Sequence, residues 1–534
     1  MKADARPSIT TKSPFLLRDL LLQHAAQSER DDLPLIDASR GAANWQLRPV
    51  LNAWHALGVY SAWAAGTPPR ESEVALALDP HAPHAERFAE FRSSVAGGSR
   101  PLSEGCDLLD ATWSWLAEEV LPDRSRDRII YQFAEAVAGR AYATPPTLDF
   151  VQPIIARYLA PLLFGGDLEL ARQFEVIGCE GATTGLAMAA GTLARNGIVR
   201  PGDRVAVWWP TYEPLRDLME CQLGCEVVPI RRDPASNWAA LPEELEKLQD
   251  PSIRLAVIVS PGNPVPVVTD PRSLDALESA AEMNPDLLIV ADYVYAHFLD
   301  EPVETELGRL PHNTIGVYSV SKDFGLAGMR LGMLLMHPEG AAQKALAGLT
   351  GEDRACADAR YTRRAMAPAE MDLTDRIVAD SRGVSFTHMS GISTSLQVLA
   401  CLCGAYDIIE PRSEAYFGWV RGVLADRVEA LYDGLGLPQP GWASGPSSRY
   451  ATAIDLYEVA AARGGVELAE ALKGREVWDL IVSLARDWRA IVTPAEAFGA
   501  GEWSVRACFP AIGAEQAREL GRRVAGAVEA FARA

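Results

Sequence analysis

From about Phe174 onward the chain alternates short apolar runs with amphipathic stretches, and no other feature restricts its fold as strongly. The runs DRVAVWW, LAVIVSP, LLIVADYVY, TIGVYSVSK and GMLLMH read as buried strands. Between them, PEELEKLQDP and DPRSLDALESAAEM place apolar residues at helical spacing. Strands apolar on both faces and separated by helices predict an α/β fold, a mostly parallel central sheet covered by helices. A ligand in such a sheet sits at the carboxyl ends of the strands, so the residues just past each run are the ones to weigh.

The rest of the chain supplies at least one further domain, because 534 residues with 48% hydrophobic content exceed what a single core supports. Pro14 to Ala25 has helical spacing and leads into LPLIDASRGAANW, a strand-like run ending in a glycine-containing turn. Residues from about Leu51 to Arg140 read as helices with polar breaks, an insertion suited to assembly or to covering a site. From about Ala415, helices bracket the short strands YATAIDL, AIVTP and SVRACF, as in a smaller α/β domain. The expected division is an N-terminal arm and small-domain segment over 1–60, an inserted helical region over 61–140, a large ligand-binding domain over 141–400 and a C-terminal small domain over 401–534.

Net charge and cysteine usage exclude several classes. A formal charge of −21 and a pI near 4.9 argue against nucleic acid, which is held by clustered Lys and Arg. The start, MKADARPSITTKSPF, has no apolar signal region, and no run approaches the roughly 18 apolar residues of a membrane-spanning helix. A cytoplasmic enzyme is expected. The eight cysteines are scattered rather than arranged as a framework, and the Cys401–Cys403 pair has no His or second Cys pair nearby in sequence, so reduced thiols and no metal are expected.

Five segments carry candidate chemistry at successive strand ends. YSVSKDFGLAGMRLG puts Lys322 just past a strand, with Ser319, Ser321 and Arg330 around it, an amine able to form an imine beside groups able to hold a phosphate. LLIVADYVY ends on Asp292, with Tyr295 following; a buried carboxylate is costly unless paired, and a protonated pyridine nitrogen would pair it. SPGNP offers Asn263 to a phenolic oxygen, WWPTYEP offers Tyr212 as a ring to stack, and GCEGATTG presents the backbone N–H groups of Gly181, Ala182 and Thr183 to an anion. Taken singly, each has a plain structural reading: surface lysine, turn carboxylate, turn asparagine, core aromatic, ordinary helix start. Their joint order favours a single cofactor.

That ordered set resembles the fold type I pyridoxal 5′-phosphate (PLP) enzymes of the aspartate aminotransferase superfamily over most of the chain. Within it, KSPFLLRDLLLQ, SRGAAN, AYATPP, DRIVADSRGVSFTHMSGISTSLQ and SVRACFP are similar to the bacterial aspartate 4-decarboxylases. The resemblance implies PLP as cofactor and Lys322 as Schiff-base lysine and proton shuttle, activating an amino acid through an aldimine and a quinonoid. It further implies Asp292 on the ring nitrogen, Asn263 and Tyr295 on the phenolic oxygen, and Tyr212 stacked on the ring. Ser319, Ser321, Arg330 and the Gly181 turn would hold the phosphate. Tyr142 would reach the phosphate of a neighbouring subunit, so a homodimer at least is implied, with a larger homo-oligomer left open. Arg506 would fork onto the substrate α-carboxylate. Arg40 and Arg18 stand near the substrate in the family, which has Lys where this chain has Arg18 and a Gly-Arg-Gly-Asn-Pro-Asn turn where it reads SRGAAN. Decarboxylation or transamination of aspartate is the leading expectation. β- or γ-Elimination or replacement, including carbon–carbon bond formation on S-adenosylmethionine, is the alternative. A PLP-binding transcription regulator would need a basic N-terminal module, and residues 1–60 show none.

Overall fold

The computed structural model describes residues 12–30, 32–66, 73–140, 142, 146–381 and 391–534. Four residues of AYATPP (141 and 143–145) and residues 382–390 of the DRIVADSRGVSFTHMSGISTSLQ block lie outside the described residues. The chain forms two compact units, each discontinuous in sequence: Met1–Asn44, Val199–Asn313 and Phe417–Ala534 make the first, and Trp45–Ile198 and Thr314–Tyr416 the second.

The first unit is built on five strands in the order Leu288–Asp292, Ile253–Val259, Arg204–Trp209, Glu226–Asp233, Ala239–Ala240. The first four run parallel, in registers such as Val259 beside Asp292 and Val207 beside Val257, and the short edge strand is antiparallel. All five residues of Leu288–Asp292 are buried, which is why the four before Asp292 are continuously apolar rather than alternating. The helix Pro271–Met283 starts where Asp270 accepts from the N–H groups of Arg272 and Ser273, with proline at its first position. Its buried Leu277, Ala280 and Ala281 pack in one cluster with Ile258, Ile289 and Trp208. Elsewhere in this unit, Ile36–Asp37 pairs parallel with Ala490–Ile491, and Ser504–Cys508 lies antiparallel between Ala451–Asp455 and Thr493–Pro494. Those pairings bring the SRGAAN turn and Arg506 into one neighbourhood.

The second unit holds the strands Glu175–Cys179, Gly332–Met336 and Thr314–Ser319, with Gly332–Met336 antiparallel to both others. The strand set is therefore mixed, and the GMLLMH run is the one that enters reversed. Helices Arg48–Ala64, His84–Val95, Arg100–Trp115 and Arg126–Ala138 occupy the stretch read as helical. They enclose an aromatic core in which Tyr60 meets Phe88 and Phe91, and Trp113 meets both Phe88 and Phe133. Among the described residues no helix is long and apolar enough to cross a membrane.

Candidate active site

In the first unit the strand ends gather Asn263, Asp292, Tyr295, Arg506 and the backbone of Ser39. Asp292 is the last residue of its strand and only 4% exposed; its Oδ1 accepts from the N–H of Val294 at 3.0 Å. Asn263, also buried, donates from Nδ2 to the Tyr295 hydroxyl at 3.2 Å. Its Oδ1 accepts from Arg506 Nε at 3.0 Å. Arg506 further donates from Nη1 to the Ser39 carbonyl at 3.3 Å and from Nη2 to Cys508 Sγ at 2.6 Å, and its guanidinium lies 4.8 Å from the centre of the Phe498 ring. Burial pushes the Tyr295 hydroxyl well above its ordinary value, so the phenol stays neutral and keeps a proton to donate. Tyr212 is half-buried at the start of the short helix Glu213–Arg216, close enough to Tyr295 to act on its ionisation.

Among the described residues Arg506 is buried without a carboxylate partner. A guanidinium offers five N–H groups. Three are engaged, by Asn263 Oδ1, the Ser39 carbonyl and Cys508 Sγ. Among the described residues two remain without an acceptor, one on each terminal nitrogen, the number a carboxylate takes bidentately.

The two other arginines behave differently. Arg18 donates to Asp37 Oδ2 at 2.8 Å and to Ser39 Oγ at 3.0 Å, so its charge is matched within the chain. Asp37 also accepts from the Ser39 N–H at 3.0 Å and from the Ser39 hydroxyl. Arg40 is exposed.

In the second unit the structure brings the Gly181 turn and Arg330 together. Gly181 has φ 87° and starts the helix Ala182–Arg195, whose first turn contains Ala182 and Thr183. A Cβ on Gly181 would lie 2.3 Å from Arg330 Nη2, so only glycine allows this approach. Arg330, itself at φ 53°, donates to the carbonyls of Glu180 and Ala327, both at 3.0 Å. Ser319 and Ser321 are buried with their hydroxyls 2.7 Å apart, and Ser319 Oγ donates to the Leu331 carbonyl. Lys322 is half-buried in the turn that follows the strand Thr314–Ser319. Tyr142 is 82% exposed.

Several residues of these neighbourhoods are invisible to motif reading. Cys508 and Phe498 fix Arg506, Ser39 does so through its carbonyl, and Tyr450 packs 4.8 Å from the Tyr295 ring while donating to the Gly41 carbonyl. Asp323, beside Lys322, is fully buried: it accepts from the Tyr318 hydroxyl and the Phe324 N–H, and its carbonyl accepts from Tyr416. The spacing of Arg506 and Cys508 on one strand face was the only signal available for any of them.

A model of the family described as aminotransferase class I and II matches residues 121–524. The chain is 30% identical to a bifunctional aspartate aminotransferase and L-aspartate beta-decarboxylase of Pseudomonas sp, over 98% of this chain and 96% of that protein. It is 32% identical to a valine–pyruvate aminotransferase of Mycobacterium tuberculosis over 29% of this chain and 39% of that protein. Among solved structures, a mutant aspartate aminotransferase of Thermus thermophilus superposes with a TM-score of 0.57 at 17% identity, covering 99% of both chains. Escherichia coli YbdL, for which a methionine aminotransferase function is described, superposes with a TM-score of 0.57 at 15% identity, covering 98% of this chain and 100% of that one. At such identities the structural likeness speaks for the fold alone.

Proposed function

The chain belongs to the aminotransferase class I and II family, and from that membership we propose that it is a PLP enzyme acting on an α-amino acid, with aspartate 4-decarboxylation and aspartate transamination as its reactions. The observation that carries this reading is the buried Arg506–Asn263–Tyr295 chain, which links a carboxylate receptor with two spare donors to a pair of groups able to hold a phenolic oxygen. The near full-length similarity to an aspartate aminotransferase and decarboxylase supports aspartate as the substrate.

The residues present fit the cofactor. Arg330 lies against Gly181, whose φ of 87° favours glycine, at the start of a helix whose N–H groups attract an anion. Asp292 is a buried carboxylate at a strand end, where a charged partner lowers the cost of burial. When bound, PLP supplies an aldehyde that reacts with amines and a ring that accepts electrons from the α-carbon.

Everything else falls to the chain. On our reading Lys322 Nζ holds the aldehyde end and then takes and returns the α-proton. Asp292 keeps the ring nitrogen protonated, and the Asn263 amide and neutral Tyr295 phenol donate to the ring oxygen. Tyr212 would supply an aromatic ring for the cofactor to stack on. Arg330, Ser319, Ser321 and the N–H groups of Gly181, Ala182 and Thr183 hold the phosphate, with the exposed Tyr142 reaching that of a neighbouring subunit. Arg506 orients the substrate by its α-carboxylate. Arg18, with its charge on Asp37, shapes the turn, and Arg40 is the cation of that turn left to meet a substrate's distal group.

Incubating holoenzyme with aspartate and following products tests the proposal. Alanine and carbon dioxide, and oxaloacetate when a 2-oxo acid acceptor is added, are expected. No product from aspartate, with turnover of another amino acid, would move the assignment to a different substrate.

A further inference from the structure

The first unit contains a pocket of about 470 Å³ that includes none of the groups assigned above to the cofactor or substrate. Its size is that of a small-molecule site. It is lined by Trp209 and Trp238, by Arg216, Arg231 and Arg232, and by Ala500. Glu220 is the one carboxylate in the lining and is engaged with Arg216, Nε to Oε2 at 2.7 Å. Arg216 also lies over the Trp209 ring at 5.4 Å. Arg231 is 66% exposed at its side chain, and Glu244 approaches it only to 4.0 Å.

Arg232 is the group that asks for a ligand. It is 8% exposed, and among the described residues its one hydrogen-bond acceptor is the Pro210 carbonyl, reached from Nη2 at 2.6 Å. Nε has no partner. Burial pulls its guanidinium down to about 10, with Asp270 acting in the opposite direction from a distance. A buried cation without a hydrogen-bonded anion is costly to fold around, and a guanidinium fork pairs bidentately with a planar carboxylate, whose body the two tryptophans can take.

We propose that this pocket binds a small planar organic carboxylate, its charge on Arg232 with Arg231 in support and its body against the indoles of Trp209 and Trp238. Such a ligand would touch the active site through the chain. Arg232 holds the carbonyl of Pro210, two residues before Tyr212, and its guanidinium lies so close under Gly262 that a Cβ there would stand 3.1 Å from Nη2. Gly262 precedes Asn263, so occupancy bears on the turns that present the ring-stacking tyrosine and the amide.

Calorimetric titration of the full-length holoenzyme with benzoate, benzamide and sulfate tests the proposal. Benzoate has a second candidate receptor in Arg506, so the titration is repeated in Arg506→Lys. Saturable benzoate binding that survives in Arg506→Lys, weakens by about tenfold or more in Arg232→Gln and in Ala500→Trp, and is absent with benzamide is expected. Ala500→Trp puts a bulky side chain into the lining while leaving Arg232 in place, so the result does not depend on how Arg232→Gln folds. Benzoate binding that vanishes in Arg506→Lys and is unchanged in both pocket variants would overturn the proposal, as would no binding at all. Sulfate binding as tight as benzoate would overturn the assignment to a planar carboxylate.

Discussion

Arg506 shows how much of a binding site is decided by what a side chain has already spent. Three of its donors are fixed on Asn263, Ser39 and Cys508, and its face rests on Phe498, so a carboxylate meets a guanidinium that has little rotamer freedom left to lose. Lysine carries the charge but neither the fork nor the anchors. Arg506→Lys is therefore expected to raise KM for the amino acid roughly 10- to 100-fold, the range of a charge-assisted bidentate bond, and steady-state kinetics on aspartate measure it. Asp37 makes a prediction about pH. Burial raises its carboxyl, but hydrogen bonds from Ser39 and Arg18 outweigh that and leave it below the ordinary value. Its folded pKa thus lies below its unfolded one, so the stability it lends is full above about pH 4 and is lost as pH falls through the folded value. In urea unfolding at a series of pH values, the deficit of Asp37→Asn relative to the parent should shrink below about pH 4. A deficit that stays constant into acid would remove the pair from the account.

At the level of elements, the apolar runs were legible as strands because a sheet covered on both faces writes itself into the sequence without alternation. LAVIVSP, LLIVADYVY and TIGVYSVSK became Ile253–Val259, Leu288–Asp292 and Thr314–Ser319. Direction was less legible. Gly332–Met336 is as buried as its neighbours, and nothing in GMLLMH marks it as the reversed strand. The candidates at strand ends were readable as residue types in order, whereas Ser39 acts on Arg506 through a backbone carbonyl 467 residues away, which no side-chain pattern announces. Asp323 was hidden for a similar reason, since its burial depends on Tyr318 and Tyr158, the latter from a distant helix. The packing of the helices on the sheet carries its own test. Leu277 is fully buried in the cluster beneath Pro271–Met283, so Leu277→Ala should cost about 2–5 kcal/mol in urea unfolding. A loss within about 0.5 kcal/mol, the range of surface substitutions, would mean the helix is not packed as described.

At the scale of the whole molecule, the proposed cofactor belongs to the stability of the fold as well as to its chemistry. A ligand that binds only the folded state stabilises it by about 4 kcal/mol at a thousand times its Kd. Removing PLP should therefore lower Tm, and adding it back should restore the original value; thermal scans of the apo and holo forms measure both. On the proposed function one lysine of this chain carries the cofactor. The sequence contains six lysines, Lys2, Lys12, Lys247, Lys322, Lys344 and Lys473, so the claim can be decided by position. Holoenzyme is reduced with borohydride, digested and read by mass spectrometry. A phosphopyridoxyl group is expected on the peptide containing Lys322 and on no other; its attachment to one of the other five, or to none, would contradict the assignment of Lys322.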